Sequence, residues 1–247
     1  MSEARVATSP VESLSAQSVI LTGAPTAEIV SLAPYTSESA AGRRSLGALV
    51  KRLVDVVGAA LAIILFAPLM AVLYVLVRSD GGPGLFVQER IGRNGRIFAC
   101  YKFRSMVPDA EAMLTNLICG NELLRAAWET DRKLQNDPRI TKLGIFLRSK
   151  SLDELPQLFN VIRGDMSLVG PRPIVLDEKE KYGASFAYYA QVRPGLTGLW
   201  QVSGRNDISY GERVKLDADY VSNWTLRRDI EIVFKTVGVV INGRGAR

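Results

Sequence analysis

The chain contains no histidine and only two cysteines, Cys100 and Cys119, among its 247 residues. The lack of histidine excludes imidazole acid–base catalysis, Ser-His-Asp triads and histidine-containing metal sites. The two cysteines have no metal-ligand spacing, so zinc binding and thiol chemistry are disfavoured and a reducing compartment is expected. Nucleophiles and proton carriers must therefore come from carboxylate, lysine, tyrosine, serine or these cysteine side chains.

Lysine is absent from the first 44 residues, which are rich in Ser, Ala, Thr and Pro and show no sustained hydrophobic periodicity. This composition predicts a disordered tail over residues 1–45. The whole chain is basic, with a formal charge of +6 and a pI near 9.4. Its cationic side chains point to anionic partners, namely nucleic acid, acidic lipid headgroups or phosphorylated substrates. No DNA- or RNA-binding motif occurs, so nucleic acid is not expected.

One segment has the length and polarity of a membrane helix. From Val56 to Val77, 22 consecutive residues are uncharged and mostly apolar. At about 1.5 Å per residue they would extend roughly 33 Å, enough to span a bilayer. Pro68 lies near the middle, where it removes a helical hydrogen bond, and basic residues at both ends disfavour moving either end across the membrane. We predict a re-entrant helix over residues 46–78 with both ends cytoplasmic; a straight span and a buried core helix are the alternatives.

Glycine-rich turns and apolar runs after residue 79 predict small β-elements. Strands are expected from Leu85 to Gln88 and from Ile97 to Arg104, joined by a basic turn that could contact phosphate or lipid headgroups. A helix is expected over residues 108–135, and a last helix beginning at Asp229 has the composition of an interfacial helix. The predicted fold class is α+β: a monotopic membrane protein with a re-entrant helix, a small hairpin or sheet, and interfacial amphipathic helices.

Two adjacent carboxylates, Asp153 and Glu154, occur where a short amphipathic helix is expected to begin. The apolar residues from Leu155 onwards follow helical spacing, and Pro156 suits a first turn because no partner is needed for its missing N–H. The positive end of the helix dipole would favour an ionised carboxylate here. The ordinary alternative is that Asp153 caps the helix, or that Ser151 and Glu154 form a capping box.

Arginine-bearing loops follow this helix. Arg172 lies between Pro171 and Pro173, which restrict the backbone and suit a pre-positioned anion-binding residue. An arginine in a rigid surface loop is the alternative. Residues 193–206 form a second loop that is dense in glycine, polar side chains and arginine.

Taken together, these motifs resemble the bacterial sugar transferases, the monotopic phosphoglycosyl transferases that begin exopolysaccharide and other glycoconjugate assembly on polyprenyl phosphate. The resemblance runs from about Lys51 to the C-terminus and is closest to exopolysaccharide members that act on galactose or glucose. It rests on these segments: Lys51-Arg52 with Asp55, Tyr101–Met106, Leu147-Arg148, Ser151–Leu158, Gly164–Pro173 and Arg193–Asn206.

The resemblance implies a two-step reaction. The aspartate of the Asp153-Glu154 pair would attack the β-phosphate of a UDP-sugar, release UMP and form a phosphoglycosyl aspartate, which polyprenyl phosphate would then attack. Glu154 would help to hold Mg²⁺, a cation that prefers oxygen ligands, and Asp217 is a second candidate ligand. The candidate phosphate-binding residues are Arg172, Arg148, Lys102, Arg104 and Arg205.

The resemblance also implies a catalytic domain over residues 79–247 on the cytoplasmic face of the bacterial inner membrane, in contact with lipid headgroups. It leaves a homodimer open. One rival hypothesis is a metal-dependent glycosyltransferase that uses Asp217-Ala218-Asp219 as its metal motif, although this triplet lies within a helical pattern rather than at a strand end. The other rival is a basic membrane-anchored scaffold, which explains the charge but not the carboxylates beside rigid arginine-bearing loops.

Overall fold

A computed structural model describes residues 38–131, 134, 137–204 and 208–242. Within these residues the strands are β1 (Leu85–Ile91), β2 (Ile97–Phe103), β3 (Ser167–Val169) and β4 (Gly195–Thr197). The helices are α1 (Glu38–Arg78), α2 (Ala110–Cys119), α3 (Glu122–Asp131), α4 (Lys142–Ser149), α5 (Gln157–Arg163), α6 (Lys179–Tyr182), α7 (Phe186–Tyr189), α8 (Leu199–Val202), α9 (Tyr210–Ser222) and α10 (Leu226–Asn242). This mixture of helices and small sheets confirms the α+β class.

Helix α1 is 41 residues long and includes Leu46–Arg78, a segment long and apolar enough to cross a membrane. The helix continues through Pro68, so the proline does not interrupt it. Its most exposed large apolar side chains lie near the middle, where Ile64 and Leu65 keep 72% and 73% of their surface accessible. Such a run of exposed aliphatic side chains is costly in water and is typical of a membrane anchor.

Both ends of α1 are attached to the rest of the fold. In its first half, Asp55 Oδ1 accepts a hydrogen bond from the Leu168 N–H at 3.0 Å. Near its end, the Val77 carbonyl accepts a hydrogen bond from the Arg104 guanidinium at 2.8 Å, and Leu73 is buried. The segments before and after the exposed middle therefore contact the same compact unit.

Strands β1 and β2 form an antiparallel hairpin in which Leu85 lies opposite Phe103. The turn is a 3-10 turn, Arg93–Gly95, with positive φ angles of 59° at Asn94 and 73° at Gly95. Asparagine and glycine tolerate this left-handed conformation better than most residues. The predicted hairpin is confirmed, although β1 extends beyond Gln88 into the segment that was expected to be turn.

The prediction of one helix over residues 108–135 is wrong, because the chain forms two helices there, α2 and α3. Gly120 ends α2. The Asn121 side chain then accepts hydrogen bonds from the N–H groups of Leu123 and Leu124 at 3.0 and 3.1 Å. Asparagine is a favoured residue at a helix start, so the Gly-Asn pair was the local signal for the break.

Strands β3 and β4 form a short parallel pair that the sequence did not predict. Ser167 pairs with Gly195, and a Cβ atom on Gly195 would lie only 2.1 Å from the Gly170 nitrogen. Glycine is therefore required where these two backbones meet. The pairing brings the loop that carries Arg172 next to the segment that leads into α8.

The core beneath the candidate site joins α1, β2 and α5. The Asn160 side chain of α5 accepts a hydrogen bond from the Tyr101 N–H at 3.0 Å and donates one to the Ala99 carbonyl at 2.7 Å. These two bonds fix α5 against the backbone of β2. The buried apolar residues of this region are Ala59, Phe98, Cys100, Leu158, Val161 and Met166.

Candidate active site

The two carboxylates lie in a 3-10 turn, Leu152–Glu154, rather than in the first turn of a helix. Helix α5 begins at Gln157, with Pro156 as its N-cap. The sequence expectation therefore placed the helix start too early. Because helix dipoles act mainly within the first turn, the dipole of α5 favours these carboxylates less than we expected.

An unusual backbone conformation precedes this turn. Ser151 has φ 54° and ψ 23°, in the left-handed region. Non-glycine residues adopt this conformation rarely, and such residues cluster at functional sites. Leu152 and Leu155 pack against an apolar cluster formed by α1, β2 and α4. These leucines anchor the turn on either side of Asp153 and Glu154.

Glu154 is paired with Lys102, whose Nζ lies 2.7 Å from Glu154 Oε1. Burial favours the neutral carboxyl group. The charge and hydrogen bond of Lys102, together with the charges of Arg172 and Arg90, outweigh this effect and hold the pKa of Glu154 below its ordinary value. Glu154 is therefore ionised at neutral pH.

Asp153 has the opposite electrostatic balance. Only 8% of the residue is exposed. Burial, and after it the negative charge of Glu154, raises the pKa of Asp153, while Lys102 and Arg148 act in the opposite direction. This finding corrects the expectation that a helix dipole holds Asp153 ionised. Adjacent carboxyl groups whose pKa values are displaced in opposite directions are typical of catalytic pairs.

Arg148, near the end of α4, is the second cation beside Asp153. Its Nε donates a hydrogen bond to Ser105 Oγ at 2.9 Å. Burial lowers the pKa of the Arg148 guanidinium, and the charges of Asp153 and Asp137 oppose that change. The structure thus brings Arg148 and Lys102 to the carboxylate pair from two different elements.

A small cleft opens beside Glu154. Strand β2 forms one wall, and the segments around Arg172 and β4 form another. The side chains of Arg172, Lys102 and Arg90 make the cleft strongly cationic, which suits a diphosphate group. The residues that line it are Arg90, Cys100, Lys102, Glu154, Gln157, Arg172, Pro173, Gly195, Leu196 and Gln201.

Arg172 is held in place by an aromatic ring. Its guanidinium carbon lies 5.3 Å from the centre of the Trp200 ring, and the guanidinium of Arg213 lies 5.1 Å from the same ring. Arg172 Nε is buried without a hydrogen-bond partner among the described residues. A guanidinium that is stacked on a ring but not fully hydrogen-bonded can still donate hydrogen bonds to an anion.

Seven of the ten lining residues are not among the predicted site residues, and three of the seven have long polar side chains: Arg90, Gln157 and Gln201. Arg90 donates a hydrogen bond to the Pro173 carbonyl at 2.9 Å and thereby ties β1 to the Arg172 loop. Gln88, Glu89 and Arg90 are three consecutive polar residues, so the sequence pattern does not predict that β1 continues to Ile91.

The structure does not bring every candidate to the cleft. The Arg104 guanidinium is buried at the end of α1, where it binds Asp80, the Pro83 carbonyl at 2.7 Å and the Val77 carbonyl at 2.8 Å. The Asp217 residue is 2% exposed, and its Oδ2 accepts a hydrogen bond from the Tyr182 hydroxyl at 2.8 Å. Neither residue is among the described residues that line the cleft, and Asp153 and Arg148 are not among them either. Arg205 lies outside the residues that the structure describes.

Asp219, the other acidic residue of the predicted metal triplet, also has its own partners. Its carboxylate is paired with Arg228 and accepts a hydrogen bond from Asn223 Nδ2 at 2.7 Å. Asp217 and Asp219 therefore engage different groups on α9. Their arrangement gives no support to a shared metal ion.

Within the described parts of the chain, no three acidic, cysteine or histidine side chains are grouped so that they could hold a metal ion. Mg²⁺ commonly uses one or two carboxylates and completes its coordination with substrate phosphates and water. Glu154 is ionised and borders the cationic cleft, so it fits this type of site. Asp217 fits less well, because its carboxylate is already bound to Tyr182.

Residues 46–243 match the bacterial sugar transferase family. An undecaprenyl-phosphate galactose phosphotransferase from Salmonella typhimurium is 55% identical over 196 residues, or 79% of this chain and 41% of that protein. The exopolysaccharide production protein ExoY of Rhizobium meliloti is 48% identical over 213 residues, or 86% of this chain and 94% of that protein. A UDP-glucose:undecaprenyl-phosphate glucose-1-phosphate transferase from Caulobacter vibrioides is 41% identical over 196 residues, or 76% of this chain and 68% of that protein.

This chain spans about two fifths of the length of the Salmonella relative and nearly all of the Rhizobium one. The family match begins within α1, includes the carboxylate turn and the cleft, and extends one residue beyond α10. The chain belongs to the bacterial sugar transferase family.

Proposed function

We propose that this chain transfers a hexose-1-phosphate from a UDP-sugar to polyprenyl phosphate, with undecaprenyl phosphate as the acceptor and UMP as the released product. This would be the first step of exopolysaccharide synthesis. Galactose and glucose are the sugars in the names of two relatives, and exopolysaccharide production is in the name of a third. The observation that carries the proposal is the buried Asp153 next to ionised Glu154, with Lys102 and Arg148 in electrostatic contact.

In the proposed first step, a carboxylate oxygen of Asp153 attacks the β-phosphorus of the UDP-sugar. The bond from that phosphorus to the oxygen bridging the two phosphates breaks, and UMP leaves with the bonding electrons. In the second step, a phosphate oxygen of the acceptor attacks the same phosphorus. The bond to Asp153 then breaks, and the carboxylate is regenerated.

The cationic side chains have distinct tasks in this scheme. Lys102 and Arg172 border the cleft and would neutralise the diphosphate, while Arg148 lies beside the nucleophile. Pre-positioned cations stabilise negative charge as it develops on the transferred group. The raised pKa of Asp153 makes its ionised form a stronger base and hence a better nucleophile, as long as substrate binds to that form.

We further propose that Mg²⁺ assists the reaction through Glu154. When bound, Mg²⁺ would neutralise phosphate charge that the arginines and Lys102 do not reach. Lys102 would then exchange part of its contact with Glu154 for contact with the donor phosphates. Asp217 as a second ligand stays a prediction, and the Tyr182 contact argues against it.

The proposed location is the inner membrane, with the catalytic domain on its cytoplasmic face. Support for a re-entrant α1 comes from its attachment at both ends, since Lys51 pairs with Asp229 at 2.6 Å near one end and Val77 binds Arg104 at the other. Helix α10 adds an exposed apolar face beside basic residues, which suits lipid headgroups. The exposed residues of that face are Ile230, Val233, Phe234 and Val237.

The covalent intermediate provides the main test. We would incubate the purified protein with a UDP-sugar and no acceptor, digest it with trypsin, and measure the mass of the peptide 151–163. The expected result is the addition of one hexose phosphate, with UMP in solution, for the wild type but not for Asp153→Asn. Release of UDP would instead favour direct glycosyl transfer. An active preparation whose peptide never gains this mass would refute the proposal, and a panel of UDP-sugars would identify the hexose.

Topology can be tested separately by labelling cysteines. In a Cys119→Ser background we would introduce Leu46→Cys and Arg96→Cys, which replace exposed residues before and after the apolar segment. A membrane-impermeant thiol reagent should label neither position in intact spheroplasts and both after lysis. Labelling of only one position from outside would show a spanning helix.

A further inference from the structure

A second cavity, here called the apolar groove, lies between α1, the β1–β2 hairpin and the start of α5. Its volume is about 410 Å³, and the surface it exposes is apolar. Part of its wall belongs to the second half of α1, the segment proposed to enter the membrane. The residues that line it are Met70, Ala71, Tyr74, Leu85, Tyr101, Phe103, Pro156 and Phe159.

The apolar groove and the cationic cleft share two walls. In β2, Tyr101 and Phe103 line the groove, whereas Cys100 and Lys102 line the cleft. This follows from the alternation of side chains along a strand. Beyond β2, Glu154 lines the cleft and Pro156, two residues later, lines the groove. A ligand with an apolar part and an anionic part could therefore use both cavities next to the carboxylate pair.

Cationic side chains lie at aromatic residues of the groove. The Arg163 guanidinium donates a hydrogen bond to the Tyr101 hydroxyl at 2.6 Å and lies 5.8 Å from the centre of its ring. Arg78 lies 5.8 Å from the centre of the Tyr74 ring. Both arginines belong to the exposed part of the surface. An apolar cavity with a basic rim suits a lipid that carries a phosphate.

The occupant has to connect the membrane with the carboxylate pair. Val75 and Leu76 continue the apolar surface of α1 outside the groove and are themselves exposed. A long hydrocarbon chain that starts in the groove could thus leave along α1 into the bilayer. Its phosphate end would lie beside the turn that holds Asp153.

We propose that the apolar groove binds the isoprene units of the acceptor that lie nearest to its phosphate. This inference rests on the proposed function and deepens it, because it assigns a place to the acceptor. The branched, unsaturated units would be buried against aromatic side chains, and burial of each methylene or methyl group adds affinity. The enzyme would thereby distinguish a polyprenyl chain from a short soluble phosphate.

Groove variants test this assignment kinetically. Ala71→Trp would fill the groove from an exposed position on α1, and Phe159→Ala would remove part of its wall. We expect each variant to lower kcat/KM for undecaprenyl phosphate roughly tenfold, the effect of losing about 1.4 kcal/mol of binding free energy. The activity towards geranyl phosphate, which carries only the first two isoprene units, should fall as well, because these are the units assigned to the groove. The KM for the UDP-sugar should stay close to wild type.

The matched control is Val72→Trp, which places the same side chain at the next position of the helix. Val72 is 56% exposed and is not part of the groove lining. This control should behave as wild type towards both acceptors. Equal losses in Ala71→Trp and Val72→Trp, or an unchanged acceptor KM in both groove variants, would overturn the assignment.

A binding measurement on the wild type avoids any dependence on how the variants fold. A polyprenyl phosphate with a diazirine in its first isoprene units should crosslink, on irradiation, to peptides that contain Tyr74, Tyr101 or Phe159. Excess undecaprenyl phosphate should compete, whereas phosphatidylglycerol at the same concentration should not. Equal competition by phosphatidylglycerol, or crosslinks elsewhere, would refute the proposal and, in the first case, identify a general lipid site.

Failure of this inference can be told apart from failure of the proposed function. If the wild type transfers sugar phosphate to undecaprenyl phosphate but crosslinks outside the groove, only the groove assignment is wrong. If the wild type transfers no sugar phosphate to any acceptor, the proposed function is wrong. The donor-only formation of the modified 151–163 peptide separates these cases, since that half-reaction needs no acceptor.

Discussion

The protein buries carboxylates in two contrasting environments. Glu154 lines an open cleft and Asp153 precedes it in the same turn. Cations from several elements of the fold act on both carboxyl groups. Asp217 lies in a closed cluster with Tyr182, Tyr189 and aliphatic side chains. The Tyr182 hydroxyl and the Arg172 backbone donate hydrogen bonds to it, and the charges of Arg213 and Arg172 act on it. Burial alone therefore does not mark a catalytic carboxylate. The difference is access: Glu154 and its cations border a cleft that an anionic substrate can enter, whereas Asp217 does not line that cleft.

The largest expected effect is the loss of turnover when Asp153, but not Asp217, is replaced by asparagine. Asp153→Asn removes the proposed nucleophile while keeping the size of the side chain. It should lower kcat by at least about three orders of magnitude, as is usual for loss of a catalytic nucleophile. Release of UMP from the UDP-sugar measures this effect. Asp217→Asn serves as the matched control and should keep most of its turnover, because an amide oxygen can still accept the Tyr182 hydrogen bond. Similar losses of kcat in both variants would contradict a catalytic role that is specific to Asp153.

The next prediction compares Lys102 and Arg104, which the sequence analysis assigned the same phosphate-binding role. Lys102→Met should lower kcat/KM for the UDP-sugar by about a hundredfold, since removal of one well-placed cation or donor commonly costs this much. Arg104→Met should instead lower Tm by more than about 4 °C, with KM for the donor unchanged. Steady-state kinetics and thermal unfolding of the purified variants in detergent would show this. A raised donor KM in Arg104→Met would mean that Arg104 also contacts substrate.

Lys102 and Arg104 also show what a sequence motif can and cannot predict about a site. Lys102 and Arg104 occur in one short basic motif, and resemblance alone gave both the same role. The structure separates them because β2 ends at Phe103. Lys102 then extends into the cleft from the strand, while Arg104 lies beyond its end and satisfies the carbonyl groups where α1 meets the hairpin. The two residues differ in role because Lys102 lies within β2 and Arg104 lies beyond its end, and the basic motif does not show where the strand ends.

Sequence patterns predicted single elements better than contacts between segments that are far apart in the chain. Glycine-rich turns and apolar runs predicted the hairpin, and apolar length predicted the long first helix. The pairing of β3 with β4 escaped prediction because each strand has three residues and contact between them depends on glycines far apart in the chain, such as Gly170 and Gly195. The cation cluster around Glu154 likewise depends on residues more than fifty positions apart, so no spacing rule could assemble it.

The pH dependence of turnover sharpens the contrast inside the carboxylate pair. The pKa of Asp153 is raised by burial first and by Glu154 second. Because the ionised form is the proposed nucleophile, kcat/KM for the donor should fall as pH decreases through this raised pKa. Glu154→Gln removes a negative charge and should move this acid limb to lower pH. Lys102→Met removes a positive charge and should move it to higher pH. The two pH–rate profiles must shift in opposite directions, and a common direction would exclude Asp153 as the titrating group.

The smallest expected effect on turnover, but a distinct one on stability, belongs to Asp217. Burial raises its pKa from 3.8 to about 7, although the Tyr182 hydrogen bond and the Arg172 backbone oppose the change. A carboxyl group whose pKa is higher in the folded state stabilises that state when it is protonated. Its contribution is complete below pH 3.8 and is lost as pH rises through about 7.

The loss amounts to roughly 2 to 4 kcal/mol, so Tm should fall by several degrees between mildly acidic and mildly alkaline pH. Asp217→Asn removes the titration and should flatten this part of the Tm profile. Asp219→Asn, two residues along α9, is the control. The pKa of Asp219 is lowered, because its contacts with Arg228 and Asn223 outweigh partial burial. Its stabilising contribution is therefore already complete at mildly acidic pH, and the slope should persist in this control. An unchanged slope in Asp217→Asn would show that Asp217 is ionised in the folded protein, with the charges of Arg213 and Arg172 outweighing its burial.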